Sequence, residues 1–562
     1  PKEGPPVWIV REWVVKARGK MKKGKAAGPS GVVVEMLRAA GDAAVDLLHS
    51  LANEIVKAGR MPSDWGVSTI INCYKGKGDS KERGNYRGLK LLDQCMKVFE
   101  RIVEGLVRDQ VDIDEMQYGF RQGRGTTDAI FIVRQLQEKY LNKQKRIYFA
   151  FIDLEKAFDR VPRKVLWWAM RTLGVEDWLI RVVQVMYQDV KSKVRVEGSY
   201  SEEFPVEVGV HQGSILSPLL FIIVMEAISR NSRLGCPWEL LYADDIVLIA
   251  TDIEELERQI RAWNDNLGNK GLRVNMNKTK VMVSGRDMGT LIEEGKYPCA
   301  MCKTGVGSRN AVQCVRCKYW VHGRWKCSGL RRITKSSGEN YVCGKCRGAA
   351  KPLKVDSGLR VSVDGTELEM VDRFCYLGDT ISSGGGATAS VMARIGIGWR
   401  KFRELKPILT SRAFSHLTKG VVYSTSVRSA MIYGSQTWAL KADDVARLER
   451  TENAMLRWMC GVKIRDRVNS NTLRDRLEIK NIKEVVGRSR LSWLGHVLRM
   501  EENRGVSRTY NMIVEGENPK GRPPTTWNAV VERDMKDRGL NRDMAQNRVA
   551  WRGRVSRGVI NL

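Results

Sequence analysis

The sequence predicts an α+β protein of several subdomains arranged around an antiparallel sheet. A continuous apolar run before Asp153 predicts a buried strand, and apolar runs on both sides of Asp244 and Asp245 predict the two strands of a hairpin. Amphipathic periodicity predicts helices over residues 34–58 and 391–460. At 562 residues the chain is too long for one hydrophobic core, so several subdomains are expected.

The aspartates at these strand ends are the most informative residues. Carboxylates beside buried strands are costly unless a positive charge meets them. If the two strands lie side by side, Asp153, Asp244 and Asp245 converge, and divalent cations would neutralise them. Mg²⁺ prefers oxygen ligands, and two such ions can clamp the attacking and leaving oxygens of a phosphoryl transfer. For each string taken alone, a hairpin turn or a solvated strand face is the alternative explanation.

Further short strings extend this pattern along the chain. They include Lys23-Gly-Lys-Ala-Ala-Gly-Pro29, Gln117-Tyr-Gly-Phe-Arg121, Gln212-Gly213-Ser214, Phe374-Cys-Tyr-Leu-Gly378, Tyr433-Gly-Ser-Gln-Thr-Trp438 and Gly521-Arg-Pro-Pro524. With these strings, the chain resembles the reverse transcriptases of non-LTR (LINE-type) retrotransposons almost from end to end. The resemblance implies a right-hand polymerase fold, with fingers, a palm built on an antiparallel sheet, and a helical thumb.

The resemblance also divides the chain into segments. The expected segments are fingers 1–146, palm 147–290, a zinc finger insertion 291–352, palm continuation and primer grip 353–385, helical thumb 386–465 and a basic RNA-binding segment 466–562. In the last segment, Trp493, Trp527 and Trp551 would either stack on RNA or lie in a core. The chain begins with Pro1, and we expect it to be part of a longer protein whose upstream portion could include an endonuclease.

The resemblance assigns the chemistry to a small set of residues. Asp153, Asp244 and Asp245 would hold two catalytic Mg²⁺ ions, and the Leu154 carbonyl could complete the shell of the second ion. Lys278 matches a position suited to protonating pyrophosphate as it leaves. A solvent-exposed lysine at a strand end is the structural alternative for Lys278.

Further positions match nucleotide and primer contacts. Phe158 matches a steric gate that would exclude a 2′-hydroxyl, with an ordinary core phenylalanine as the alternative. The other expected nucleotide contacts are Lys75 (or Lys77 in its place) and Arg87 on the triphosphate, Arg121 without an assigned role, and Gln212 and Gly213 beside the nascent base pair. The expected primer contacts are Tyr242, Phe374, Tyr376 and Gly378.

The charge of the chain points to a polyanionic partner. A formal net charge of +31 predicts strong, salt-dependent binding to nucleic acid. The expected partners are an RNA template, a DNA primer or nicked target DNA, and deoxynucleoside triphosphates. No apolar run of about eighteen residues occurs, so no membrane partner is expected. The expected function implies nuclear residence and allows a cytoplasmic ribonucleoprotein stage.

Seven of the twelve cysteines cluster between residues 299 and 346. With one histidine they supply eight ligands, enough for two tetrahedral Zn²⁺ sites. The cluster resembles a PHD-type finger. That resemblance implies interleaved sites, with Cys299, Cys302, His322 and Cys327 on one ion and Cys314, Cys317, Cys343 and Cys346 on the other. Four residues separate His322 from Cys327 where the PHD family usually has two, and sequential pairing remains an alternative.

The cysteine-rich segment is strongly basic, with eleven Lys or Arg against one acid from Tyr297 to Gly348. Such a surface favours nucleic acid and disfavours a basic histone tail. The alternating runs Lys280–Ser284 and Leu359–Val363 flank the segment. We therefore expect an insertion at the tip of a hairpin formed by these two runs.

These features favour RNA-templated DNA synthesis from a primer 3′-hydroxyl. A catalytically silent or host-adopted nucleic-acid-binding protein with the same fold is the alternative, although binding alone does not require three aspartates. An RNA-dependent RNA polymerase is a third candidate, which Phe158 disfavours.

Overall fold

The computed structural model describes most of the chain outside the cysteine-rich segment. The described residues are 3–4, 8–76, 79–230, 233–235, 237–285, 297–299, 301–302, 305–306, 311–315, 320–330, 341–344, 346–347, 361–516 and 524–556. Within these ranges, every helix is too short or too polar to span a bilayer.

The strands fall into two five-stranded sheets and several two-stranded ones. They are β1 (Val67–Tyr74), β2 (Tyr86–Leu91), β3 (Ile147–Ile152), β4 (Lys191–Val196), β5 (Ser199–Tyr200), β6 (Phe204–Pro205), β7 (Glu239–Tyr242), β8 (Asp245–Ala250), β9 (Lys280–Ser284), β10 (Tyr297–Pro298), β11 (Gly305–Val306), β12 (Ala311–Gln313), β13 (Trp320–His322), β14 (Ser362–Val363), β15 (Thr366–Glu367), β16 (Glu369–Met370), β17 (Arg373–Tyr376) and β18 (Asp379–Ser382).

Helices surround the sheets and make up most of the C-terminal third. In the first half they are α1 (Arg11–Gly19), α2 (Val34–Ala39), α3 (Gly41–Ala58), α4 (Gln94–Gln110), α5 (Thr126–Asn142), α6 (Ala157–Arg160), α7 (Arg163–Thr172), α8 (Asp177–Val185), α9 (Ser217–Ser229) and α10 (Ile253–Gly268). The later ones are Trp325–Ser328, Thr388–Glu404, Lys406–Leu409, His416–Val422, Ser429–Met431, Ala442–Cys460, Ser470–Leu477, Ile482–Val497, Gly505–Asn511, Trp527–Lys536 and Arg548–Ser556, with a π-helical turn at Tyr423–Arg428. The predicted mixture of helices and sheets is confirmed.

The central sheet has the strand order β16-β9-β3-β8-β7. All six residues of β3 are buried, as are five of the six in β8, which explains why both sequences are almost continuously apolar. Helix α10 packs on this sheet and buries Trp263, whose indole N–H donates to Glu239 Oε1 at 3.3 Å. The sheet is therefore a rigid base, and its strand ends can hold polar side chains in fixed positions.

A second sheet carries the hairpin of β1 and β2, with β4 parallel to β1 on the other side. Within the hairpin, Cys73 lies opposite Arg87 and Tyr74 opposite Tyr86. The hairpin contacts the loop before α9, because the Lys90 N–H donates to the Gln212 carbonyl at 3.1 Å. This contact connects the predicted fingers to the predicted palm.

The expected hairpin around the cysteine-rich insertion is wrong. Strand β9 pairs antiparallel with β3 and parallel with β16, so that Lys280 lies opposite Glu369. The run after the insertion instead forms β14, which pairs with β15 and contacts α10. Leu359 and Arg360, the first residues of that run, lie outside the described residues. The two flanking runs alternate in the same way, and alternation cannot distinguish their pairing partners.

The C-terminal tryptophans lie in a core. Trp493, Trp527 and Trp551 are each at most 9 % exposed. Phe131 of α5 meets Trp527 edge-on, with ring centroids 4.9 Å apart, and Trp493 at 5.6 Å. The Trp551 indole N–H donates to the Leu491 carbonyl at 3.0 Å. Stacking of these three side chains on RNA is therefore wrong, because their rings are occupied by packing.

A buried ion pair joins α5 to the β17–β18 hairpin and to the helices that follow. The Arg134 guanidinium donates to Asp379 Oδ2 through Nε at 3.0 Å and through Nη2 at 2.8 Å. Trp438 Nε1 donates to the same oxygen at 3.2 Å, and Arg134 also donates to the Gly386 carbonyl and to Ser390. Both charges are almost fully buried, so each depends on the other.

Replacing Asp379 by Ala is expected to lower the free energy of unfolding by about 3–5 kcal/mol, because Arg134 is left buried without its counter-charge. Urea denaturation followed by tryptophan fluorescence measures this change. Glu404→Ala removes the exposed Lys401–Glu404 pair and is the control, with an expected effect below about 1 kcal/mol. Equal effects of the two substitutions would contradict the importance of the buried pair.

Candidate active site

The pairing of β3 with β8 brings the three predicted aspartates to one end of the central sheet. Ile152 lies opposite Ile246 in antiparallel register. Beyond this pair, Asp153 follows β3 and Asp245 begins β8, so the two residues lie at the same end of the sheet. Asp244 occupies the turn between β7 and β8, in which Tyr242 pairs with Asp245. The structure therefore places residues 153, 244 and 245 at the same end of the central sheet.

The turn that carries Asp244 is held by the segment 116–119. The Gln117 side chain, 1 % exposed, accepts the Ala243 N–H at 3.0 Å through Oε1 and the Gly119 N–H at 2.8 Å. Ala243 has φ of +58°, a conformation that non-glycine residues rarely adopt. A Cβ on Gly119 would lie 2.6 Å from the Ala243 nitrogen, so only glycine fits against this turn.

The aspartates repel one another in a partly buried site. Burial raises the pKa of Asp245 to about 6, with further increases from Asp244 and Asp153. Burial also raises the pKa of Asp244, and Asp153 adds to this shift, whereas Arg87 opposes it. Such a site favours a cation that can neutralise several carboxylates.

The residues fit a divalent cation. Within the described part of the chain, Asp153 Oδ2 has no hydrogen-bond donor, and its cationic neighbour is Lys278 Nζ at 3.3 Å. The Leu154 carbonyl points away from the two backbone hydrogen bonds that join residues 153–155 to 273–275. The carboxylates of Asp153, Asp244 and Asp245 do not form a group as tight as the two Cys/His groups of the cysteine-rich segment. This difference is consistent with the repulsion between like charges.

Phe158 lies against the loop that carries Gln212 and Gly213, because the Val210 N–H donates to the Phe158 carbonyl at 2.8 Å. The Phe158 ring stacks on Phe221 with centroids 4.5 Å apart and meets Phe120 edge-on at 6.2 Å. A Cβ on Gly213, whose φ is +100°, would lie 2.6 Å from the Lys90 carbonyl oxygen. The glycine is thus required by the approach of β2. That requirement is independent of any nucleotide.

Two predicted nucleotide contacts make hydrogen bonds within their own segments. Lys75 Nζ donates to the Gly84 carbonyl at 2.8 Å within the loop that connects β1 and β2. The Arg121 guanidinium donates to the Asp114 carbonyl at 2.6 Å and faces Glu115 at 3.9 Å. Lys77 lies outside the described residues. Arg121 therefore supports the loop after α4 in this structure, while Lys75 remains exposed near the hairpin end.

The predicted primer contacts divide into accessible and buried residues. Tyr242 is half-buried next to the aspartate turn. The Phe374 ring stacks on Phe151 at 4.2 Å, beneath the sheet end. Gly378, with φ of +84°, lies against Arg394, which donates to its carbonyl. Tyr376 is 2 % exposed, so a primer contact by its side chain is wrong and its ring instead supports Phe151.

Glu100 and Gln117 support the site, and the sequence assigned a role to neither: Gln117 was only the first residue of a quoted string, and Glu100 was not identified at all. Glu100 on α4 is fully buried and accepts the Ser214 hydroxyl at 2.5 Å and the Ile215 N–H at 2.9 Å, which fixes the loop that carries Gln212. Burial raises the pKa of this carboxyl. A glutamate on the apolar face of an amphipathic helix is the only sequence signal that could have identified Glu100.

The cysteine-rich segment brings its predicted ligands into two groups. The ligand atoms of Cys299, Cys302, His322 and Cys327 all lie within 4.8 Å of one another. Those of Cys314, Cys343 and Cys346 form a second such group, and Cys317 lies outside the described residues. This grouping follows the interleaved set and differs from sequential pairing. Thiolate and imidazole ligands at these separations could hold zinc.

Residues 75–320 match the family model described as "Reverse transcriptase (RNA-dependent DNA polymerase)", and they contain the aspartates and their supports. This part of the chain is a reverse transcriptase domain. Its curated relatives are proteins of non-LTR retrotransposons. The chain is 28 % identical over 250 residues to the RNA-directed DNA polymerase from mobile element jockey of Drosophila funebris, covering 43 % of this chain and 27 % of the relative.

Two other relatives are similar to the same degree. The probable RNA-directed DNA polymerase from transposon BS of Drosophila melanogaster is 26 % identical over 45 % of this chain and 30 % of its own length. The Pol polyprotein from type-1 retrotransposable element R2 of Nasonia vitripennis is 25 % identical over 49 % of this chain and 27 % of its own length. The chain thus spans less than a third of the length of each of these relatives.

Among solved structures, apo telomerase from Candida Tropicalis truncated from its C-terminal domain matches with a TM-score of 0.31 and 14 % identity. The match covers 43 % of this chain and 56 % of that chain. A similarity this low adds nothing to the assignment of the domain.

Gln117→Met keeps the side-chain volume but removes the acceptor for the Ala243 N–H. We expect it to lower kcat for nucleotide incorporation by roughly 10- to 100-fold, because the Asp244 turn loses its fixed position. Steady-state primer extension measures the change. Gln110→Met is the matched control, since Gln110 makes two similar hydrogen bonds with Glu176. If both variants lose the same activity, the effect comes from folding and not from the turn.

Proposed function

We propose that the chain is an RNA-directed DNA polymerase of a non-LTR retrotransposon, which extends a primer 3′-hydroxyl on an RNA template. The observation that supports this most directly is the register of β3 and β8, which sets Asp153 beside the Asp244–Asp245 turn. A protein that only binds nucleic acid does not require such costly carboxylates. The silent, host-adopted alternative is therefore not favoured.

The carboxylates would act as ligands for two Mg²⁺ ions, with Asp153 and Asp244 as the main ones and Asp245 and the Leu154 carbonyl completing the site. When bound, the ions would activate the primer hydroxyl and neutralise the triphosphate. Arg87 and Lys75 would bind triphosphate oxygens, and Lys278, beside Asp153, would protonate the departing pyrophosphate. The Phe158 ring would exclude a 2′-hydroxyl, which favours deoxynucleotides.

The subdomain assignment follows from the same proposal. Residues 1–146 act as fingers, 147–290 and 353–385 as palm, and 386–465 as thumb. The segment 466–562 would bind RNA through its surface cations, since its tryptophans are buried. The proposed partners are an RNA template, a DNA primer or nicked target, and deoxynucleoside triphosphates. Such a reaction on chromosomal DNA implies nuclear residence.

The insertion 291–352 would bind two zinc ions as a PHD-like module. The two Cys/His groups and the separate small core around Cys299, Val312 and Val321 support this. Its basic composition favours nucleic acid over a histone tail.

Primer extension by the purified chain tests the proposed activity. We expect incorporation of deoxynucleotides on an RNA template with Mg²⁺, and little incorporation of ribonucleotides. Asp153→Asn and Asp244→Asn are each expected to reduce extension by about a thousand-fold or more, because the cations lose their anionic ligands. Asp252→Asn, at the N-terminus of α10, is the control for a carboxylate change near the same sheet. RNA binding without any extension by the wild type would favour the binding protein.

Metal analysis tests the insertion separately. Protein purified under reducing conditions is expected to contain about two zinc ions per chain, and Cys327→Ser and Cys343→Ser should each remove about one. Inductively coupled plasma mass spectrometry gives the count. Cys73→Ser on β1 is the matched control and should leave the zinc content unchanged. Zinc-free protein, or equal losses in all three variants, would contradict the assignment.

A further inference from the structure

Asp159 follows Phe158 directly and contacts the Gln212 side chain. Gln212 Nε2 donates to Asp159 Oδ1 at 2.7 Å. Backbone hydrogen bonds fix the two segments on either side of this contact. The Val210 N–H donates to the Phe158 carbonyl at 2.8 Å, and the Gly209 N–H donates to the Val161 carbonyl at 2.9 Å. The carboxylate and the amide therefore face each other from two segments in fixed register.

Gln212 is also fixed from the side of β2. Its carbonyl accepts the Lys90 N–H at 3.1 Å, and the adjacent Gly213 lies directly against the Lys90 carbonyl. The backbone of Gln212 therefore has little room to move. The remaining freedom is rotation of its side chain, and among the described residues the hydrogen bond to Asp159 restricts that rotation.

The chemistry of a carboxylate also selects one orientation of the amide. An ionised carboxylate accepts hydrogen bonds and donates none, so the NH₂ end of Gln212 must face Asp159. The Oε1 atom and the second N–H of the amide are then presented with a fixed polarity. An asparagine at position 159 could both donate and accept, and it would allow the amide to turn over.

Asp159 also interacts electrostatically with Lys90 of β2. Burial lowers the pKa of Lys90 to about 8, and Asp159 opposes this shift, whereas Arg163 adds to it. His211 is buried against Tyr187, and burial lowers its pKa to about 3, so it adds no charge at neutral pH. The Asp159 carboxylate thus also stabilises the charged form of Lys90, whose backbone contacts the loop that carries Gln212.

We propose that Asp159 is a positioning residue that fixes the Gln212 amide in the orientation with which it meets the incoming nucleotide. This inference rests on the proposed polymerase function. Asp159 itself does not take part in the phosphoryl transfer. Its loss would let Gln212 rotate, so the nucleotide would bind less tightly and a mismatched nucleotide would be rejected less well.

A double-mutant cycle separates positioning from a general structural role. Asp159→Ala is expected to raise KM for the nucleotide roughly ten-fold with a smaller change in kcat. Asp159→Asn should show a similar defect, because it no longer selects the amide orientation. The Asp159→Ala/Gln212→Ala double variant should match Gln212→Ala alone, since Asp159 acts only through Gln212.

Glu155→Ala is the matched control. This carboxylate lies four residues earlier on the same segment and pairs with Arg160 at 2.9 Å. It should leave KM for the nucleotide unchanged. Additive losses in the double variant, or a lower melting temperature with unchanged KM, would overturn the inference.

A second readout needs no chemistry. Nucleotide affinity is measured from the stability of a ternary complex on a dideoxy-terminated primer, for the wild type and the same variants. A wild type that binds the nucleotide but extends no primer would refute the proposed function. The nucleotide affinities of the variants would then still test the role of Asp159. A wild type that does neither would overturn both.

Discussion

The antiparallel pairing of β3 with β8 is the constraint on which the active site depends. Each strand is buried along almost its whole length, and a shift of one residue would turn every side chain to the opposite face of the sheet. The register is therefore fixed by the core and not by the charged residues at its end. Packing of the two strands brings Asp153 and the Asp244–Asp245 turn together. The free energy of this packing offsets the mutual repulsion of the carboxylates.

Support for the site comes from parts of the chain that are distant in sequence. Gln117 holds the Ala243 N–H, 126 positions away, and Glu100 holds Ser214, 114 positions away. Both side chains are buried and polar, so losing the hydrogen-bond partner would leave each of them unsatisfied, and losing the side chain would release the loop. The turn and the Gln212 loop are thus rigid before any substrate binds, which favours a preorganised site.

Local patterns in the sequence were sufficient for the strands and the aspartates, because burial dictates an apolar run and a turn interrupts it. They were not sufficient for β9, whose alternating residues fit β3, β16 or the run at 359–363 equally well. The tryptophans in the last segment also fit both a core and an RNA-binding surface. The packing of Phe131 against Trp527 shows that they lie in a core. The role of Gln117 had no local signal, since its partner is a backbone N–H.

The parallel pairing of β9 with β16 determines how the cysteine-rich insertion is connected to the central sheet. Parallel neighbours need a crossover connection of a dozen or more residues, whereas a hairpin needs only a short turn. The stretch between Ser284 and Glu369 is that crossover, and β14 packs on α10 within it. The module has its own small core. Metal binding within the module can therefore leave the sheet unaltered.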